Sequence, residues 1–97
     1  MSISRFAVKN EFDEAVRHAF LDRPHLVDSA PGFIRMEVAN PCADAKEFWL
    51  LTWWENAASF DAWHHSHAYR DSHRHIPKGL KLARGRTEML RLQVIAT

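Results

Sequence analysis

The chain has 97 residues, 46% hydrophobic and 26% charged, with 13 Lys and Arg against 12 Asp and Glu for a formal charge of +1. That length fits one domain over residues 1–97, and the apolar share is too high for a disordered tail. The near-zero charge excludes the basic stripe of a nucleic-acid module and offers no attraction to an anionic membrane surface.

Cys42 is the single cysteine, so an internal disulfide and a Cys-based zinc site within the chain are both excluded. No stretch of about 18 apolar residues is present to span a bilayer, and the first residues lack a signal-peptide apolar run. These features predict a soluble protein of a reducing compartment, most simply the cytoplasm, with no membrane or nucleic-acid partner. Two residue types stand out: there are 4 Trp and 7 His, and His64, His65, His67, His73 and His75 are bunched together.

In chain order, Ile3–Val8 alternates as a strand. Asn10 followed by Asp13 predicts a cap and an acidic first turn. Phe12, Val16, Ala19, Phe20 and Val27 then recur at helical spacing. Pro24 removes one intrahelical hydrogen bond, so a kink or a restarted helix is expected there. Ala30-Pro31-Gly32 is a turn, and Phe33–Val38 is a strand expected to place Ile34, Met36 and Val38 on one face.

Asn40–Ala45 reads as a hairpin connection into Glu47–Glu55, an aromatic strand that is apolar on both faces. Both faces therefore need cover, one from helices and the other from a partner subunit. Asn56 caps a helix through Trp63 and His64, and Ser66 caps a second through Tyr69 to His75. Pro77 and Gly79 end the helical region, and a basic loop leads to a last strand, Thr87–Ile95, with Leu90, Leu92 and Val94 on one face. The order β-α-β-β-α-β is the ferredoxin-like split βαβ, an α+β fold with a four-stranded antiparallel sheet. Two such sheets packed face to face would make a dimeric α/β barrel, because an apolar sheet face this large is not left in water.

The histidine-rich stretch admits three chemistries. A metal site is weakly supported, since only His64 and His67 share a helical face and no HExxH motif accompanies them; His64, His65, His67 and His75 read as solvent-facing imidazoles. General acid–base work lacks a nucleophile or paired carboxylates, and Cys42 has no basic neighbour except Lys46 to make it a thiolate. The third is ligation of a flat aromatic cofactor: a neutral His can bind haem iron, and Trp63 and His73 are ten apart across a helix break at Ser66. Against that, Trp63 beside Phe60 also suits a core aromatic. Lys78, Lys81, Arg84 and Arg86 form either a solvated loop or a donor set for carboxylates such as haem propionates.

SRFAVK, APGFIRMEV, FWLLTWWENAASFDAW and SHAYRDSHRH together resemble the antibiotic-biosynthesis-monooxygenase (ABM) domain family, most closely its branch of bacterial haem-degrading monooxygenases. The resemblance runs over residues 3 to 95 and implies a ferredoxin-like subunit that pairs into a homodimeric barrel. It implies that His73 is the axial ligand to haem iron, that Trp63 is the wall pressing the macrocycle out of plane, and that Ser4 stands where that branch has an Asn. Serine keeps a donor but reaches less far than the amide. Haem would then be both cofactor and substrate, with O2 as co-substrate. Electrons would come from an external reductase, since no GxGxxG is present. Phe6, Phe33, Trp53 and Trp54 are the aromatic candidates for lining the cavity. Other members of the family are cofactor-free monooxygenases of polyketide or quinol-type aromatics, and a non-catalytic dimer that binds a small ligand is a third possibility.

Overall fold

The structure, a computed structural model, describes residues 1–23, 25–72, 79–83 and 85–97. Strand β1 (Ser2–Ala7) leads to helix α1 (Asp13–Leu21), a 3₁₀ turn (Leu26–Ser29) and the hairpin of β2 (Phe33–Ala39) and β3 (Glu47–Trp54). Helices α2 (Ala57–His64) and α3 (His67–Ser72) follow, and β4 (Glu88–Arg91) closes the order. All neighbours are antiparallel in the sheet order β2-β3-β1-β4. This is the ferredoxin-like α+β arrangement that the element order predicts.

Register decides which side chains meet the helices. Ser2, Ser4 and Phe6 face Thr52, Leu50 and Phe48, and Ser4 also faces Met89. Met36 and Val38 continue the same face on β2. Two clusters of buried residues cover it. One gathers Val8, Val16 and Phe48 with Phe6, Phe12, Phe20 and Leu80; the other gathers Val27, Trp54 and Phe60 with Phe33, Met36 and Trp63. Phe6 stacks on Phe48 at 5.6 Å, and Phe33 and Phe60 meet Trp54 edge-on at 5.3 and 5.8 Å.

The opposite face carries Trp49, Leu51 and Trp53 from β3 beside Ile3 and Leu90. Arg35 lies 4.0 Å over the Trp53 ring and Arg5 5.3 Å over Trp49. Within the chain, cation–π contacts and the aliphatic stems of these arginines are what cover the indoles.

Several local expectations are corrected. A bulge between Phe33 and Arg35 throws Ile34 out to 58% exposure, so Phe33 rather than Ile34 joins Met36 and Val38. Asn10 does not cap α1, which starts at Asp13 with no side-chain cap. Its side-chain amide N–H instead donates to the Gly79 carbonyl at 2.9 Å, and its main-chain carbonyl accepts from Lys46 Nζ at 2.8 Å. β4 spans four residues rather than nine: Met1 and Leu92 close the ladder with β1, and beyond them Val94 and Ile95 pair with no strand among the described residues and lie exposed.

The caps predicted for the other helices are present. Asn56 Oδ1 accepts from the Ser59 N–H at 2.9 Å. Ser66 Oγ donates to the Trp63 carbonyl at 2.7 Å and accepts from the Tyr69 N–H at 3.1 Å, ending α2 and starting α3 with one hydroxyl. Gly32 sits at φ +82°, and a Cβ there would lie 2.2 Å from Ser59 Oγ. Gly32→Ala should therefore cost about 1–3 kcal/mol in urea unfolding. Adding Ser59→Gly should recover only the steric part, leaving a cost of about 1 kcal/mol for the left-handed backbone. Unchanged stability in Gly32→Ala would contradict this packing.

Candidate functional site

Between the sheet and the helices lies a cavity of about 490 Å³, inside the range of small-molecule sites. Its floor is the helix-facing side of the sheet: Ser4 and Phe6 of β1, Leu50 and Thr52 of β3, Met36 and Met89. Both core clusters contribute to its walls, so the cavity occupies the gap where they meet.

The wall from α2 and α3 is a continuous set of rings. Phe60 is buried, His64 stacks on it at 5.6 Å with 13° between planes, and Tyr69 meets His64 at 4.7 Å. Trp63 meets Tyr69 at 5.9 Å and 89°. Phe60 and His64 share a helix face because they are four residues apart. The Ser66 break then turns α3 so that Tyr69 joins Trp63 on the cavity side. Burial pushes the Tyr69 phenol above its ordinary value of 10.0, so it stays neutral and keeps its O–H across the physiological range.

A polar group sits where α1 gives way to the 3₁₀ turn. Arg23 and His25 both line the cavity, and both are held by Asp28. Arg23 Nη1 lies 3.0 Å from Oδ1 and His25 Nδ1 lies 3.1 Å from Oδ2. Partial desolvation pushes the Asp28 carboxyl up, but the hydrogen bonds and charges of Arg23 and His25 outweigh it and hold the group below its ordinary 3.8.

The cavity brings together three of the residues singled out in the sequence: Ser4, Phe6 and Trp63. Trp53 lies on the other face of the sheet beneath Arg35, while Trp54 and Phe33 pack in the core cluster next to the cavity. His73 lies outside the described residues, as do His75, Lys78 and Arg84. His64 is not solvent-facing as expected but half-buried in the ring wall; His65 and His67 are exposed. Of the basic loop, Arg86 is engaged by Asp44 at 3.2 Å and Glu47 at 2.9 Å near the β2–β3 hairpin, and Lys81 is exposed. Among the described residues no group of three or more His, Cys, Asp or Glu is placed to hold a metal ion.

Sequence reasoning missed Arg23, His25, His64 and Tyr69. For Tyr69 a signal existed, since a cap at Ser66 fixes which face of α3 the residue three positions on presents. For Arg23 and His25 none did, because they reach the cavity only through the turn after α1.

Residues 1–75 match the family described as antibiotic biosynthesis monooxygenase. The chain belongs to the ABM family. This ABM protein is similar to the heme oxygenase (mycobilin-producing) of Mycobacterium tuberculosis, 32% identical over 44 residues that span 45% of this chain and 42% of that one. The matched part is thus less than half the length of that relative. It is also similar to the heme oxygenase (staphylobilin-producing) of Staphylococcus haemolyticus, 29% identical over 77 residues, 77% of this chain and 73% of the relative. Among solved structures, a variant of the M. tuberculosis heme degrader MhuD with two manganese protoporphyrin IX bound per active site is 19% identical, with TM-score 0.79 over 99% of this chain and 94% of that one. SnoaB, a cofactor-independent oxygenase from Streptomyces nogalater, is 13% identical, with TM-score 0.71 over 99% and 95%. At these identities the structural likenesses establish the ABM fold.

The chain has a single tyrosine, so phenolate absorbance reads Tyr69 alone. The native midpoint should lie above 10 and return to about 10 in urea. Because the folded value is raised, the corresponding stability is fully present below the unfolded value and is lost as pH rises through the folded one. A native midpoint at or below the unfolded one would show that the phenol is not desolvated.

Proposed function

We propose that this ABM protein is a monooxygenase that binds haem in the cavity between sheet and helices and degrades it oxidatively, using O2 and an external electron donor. One observation carries the reading: Ser4 and Phe6 of β1 and Trp63 of α2, drawn from opposite layers, line one mostly apolar cavity. The match to two heme oxygenases supports the same choice. The residues present fit a flat aromatic macrocycle, with Phe6 and Leu50 below and the rings of Trp63 and Tyr69 beside it.

When bound, haem supplies both the metal centre that activates O2 and the macrocycle that is attacked. The chain supplies the surroundings. Apolar side chains would exclude water, the Trp63 indole would form a wall of the site, and the Ser4 hydroxyl would offer a hydrogen bond from the cavity floor. On the family resemblance His73 would hold the haem iron, a role to which a neutral imidazole is suited.

A second reading is favoured by the neutral phenol and half-buried imidazole already in the wall, Tyr69 and His64. These suit the oxygen substituents of a polyketide or quinol-type aromatic, oxygenated without any cofactor. A dimer that binds a small ligand without catalysis is the remaining possibility.

The same reading assigns the open sheet face to a second copy of the chain. Trp49, Leu51, Trp53 and Leu90 form an apolar surface that two facing sheets would bury, giving a homodimeric barrel. No helix of the described residues is long and apolar enough to cross a membrane, and with one exposed thiol, Cys42, the cytoplasm is the proposed location.

Titrating haem into the protein should give a stoichiometric complex with a shifted Soret band, and His73→Ala should abolish the shift while leaving the fold intact. If no complex forms at micromolar haem, the haem reading falls; O2 uptake with an anthrone or quinol in metal-free buffer then tests the second. For the pairing, sedimentation should give twice the 11.3 kDa chain mass, and Leu51→Glu should return the single-chain value. A wild-type mass of one chain at micromolar concentration would remove the dimer.

A further inference from the structure

We propose that the hydroxyls of Ser2 and Thr52 form a two-donor subsite on the cavity floor for the carbonyl oxygen of a planar aromatic ketone. Ser2 is 4% exposed and is the one buried polar residue among those described. Register puts it on the helix-facing side of β1 with Ser4 and Phe6, and all three line the cavity. Its hydroxyl has no hydrogen-bond partner among the described residues. Nor is it sealed off, since among those residues the one fully enclosed side-chain oxygen without a partner is Asn10 Oδ1. A buried hydroxyl left in this way costs free energy until something accepts its proton.

Thr52 stands directly opposite Ser2 on β3 and also lines the cavity. The Cβ atoms of such a cross-strand pair lie roughly 5 Å apart, so a single acceptor oxygen can meet both hydroxyls. Trp54 prepares the second donor. Its Nε1–H donates to Thr52 Oγ1 at 2.9 Å, which uses a lone pair of that oxygen and leaves the hydroxyl hydrogen for another acceptor. A hydroxyl that accepts one bond donates the next more strongly.

The rest of this sheet row decides which acceptor fits. Met36 flanks Thr52 on β2, and Arg91 flanks Ser2 on β4. The Arg91 guanidinium is already held by Asp61 of α2 at 2.9 Å and lies 5.5 Å over the Phe60 ring. No cation is left in the row to pair with a buried anion, and a carboxylate would lose its hydration against two neutral donors. A carbonyl oxygen accepts two hydrogen bonds and brings no charge. The rings of Phe60 and Trp63 line the same cavity and suit a flat skeleton.

The inference rests on the cavity as a site for a flat aromatic, and on neither iron ligation nor turnover, so it is tested without iron. Fluorenone and fluorene share one planar skeleton and differ by a carbonyl in place of a methylene. Equilibrium dialysis should show fluorenone bound about fivefold more tightly. Ser2→Ala and Thr52→Val should each weaken fluorenone about fivefold, the worth of one neutral hydrogen bond, and change fluorene less than about twofold. Thr52→Ser keeps the hydroxyl and should keep the preference. In infrared spectra the carbonyl stretch of bound fluorenone should lie below its position in hexane, and each hydroxyl-less variant should return it part-way. Ser2→Ala should not lower the urea midpoint, because its hydroxyl has no partner in the fold to lose.

Equal binding of the two probes by the wild type, or a carbonyl band at the hexane position, would overturn the subsite. Equal weakening of both probes in Ser2→Ala, or a lowered urea midpoint, would show that the hydroxyl serves the fold instead. Thr52→Val strands the Trp54 N–H, so retained fluorene binding reports that its cavity is intact. If haem forms no complex while the fluorenone preference persists, the haem reading falls and the subsite stands; haem binding without that preference gives the reverse.

Discussion

The site depends on how little of the sheet two short helices can cover. At 1.5 Å per residue, α1 with nine residues and α2 with eight are each roughly 12–14 Å long. The central strand β3 has eight residues and runs roughly 26 Å. Each helix therefore seals one part of the sheet face, around Phe48 and around Trp54, and the stretch over Ser4 and Leu50 is left roofed but unfilled. The cavity is a consequence of helix length as much as of any individual side chain.

What the gap can do follows from the side chains that border it. The floor is apolar with small hydroxyls, which leaves width near Ser4. The helical wall is built from rings whose edges and faces meet one another, so it is stiff and suits a flat partner. Beyond the floor hydroxyls, polar character comes from the Tyr69–His64 pair, the Arg23–Asp28–His25 group and Glu88 of β4. The gap is thus a slab with an aromatic side and a charged edge.

The other face of the sheet follows a different logic. Three large apolar residues of β3 alternate outward with the same period of two that sends Phe48, Leu50 and Trp54 inward. Arg35 and Arg5 lie over the two tryptophans, which lessens the exposed apolar area without hiding the charge. Such a surface is covered in the single chain yet remains able to meet a second sheet once the guanidinium heads find other partners.

Much of this was legible in the residues alone. The alternation in β1 and β3, the turn at Pro31-Gly32 and the caps at Asn56 and Ser66 are local signals, each set by the backbone within a few residues, and they specified the element order and the ferredoxin-like sheet. Ser4, Phe6 and Trp63 were picked out from pattern and resemblance, and they border one cavity. Other features depend on partners distant in the chain. Asn10 left its helix because Gly79 and Lys46 reach it, Ile34 was displaced by a bulge against β3, and β4 stopped where pairing with β1 stopped. The polar edge made by Arg23, His25 and Asp28 and the inward turn of His64 belong to this second kind. Sequence determined which faces are apolar and where the chain turns, since those are short-range properties; tertiary structure alone decided which polar groups border the cavity, because that depends on how separately formed elements pack together.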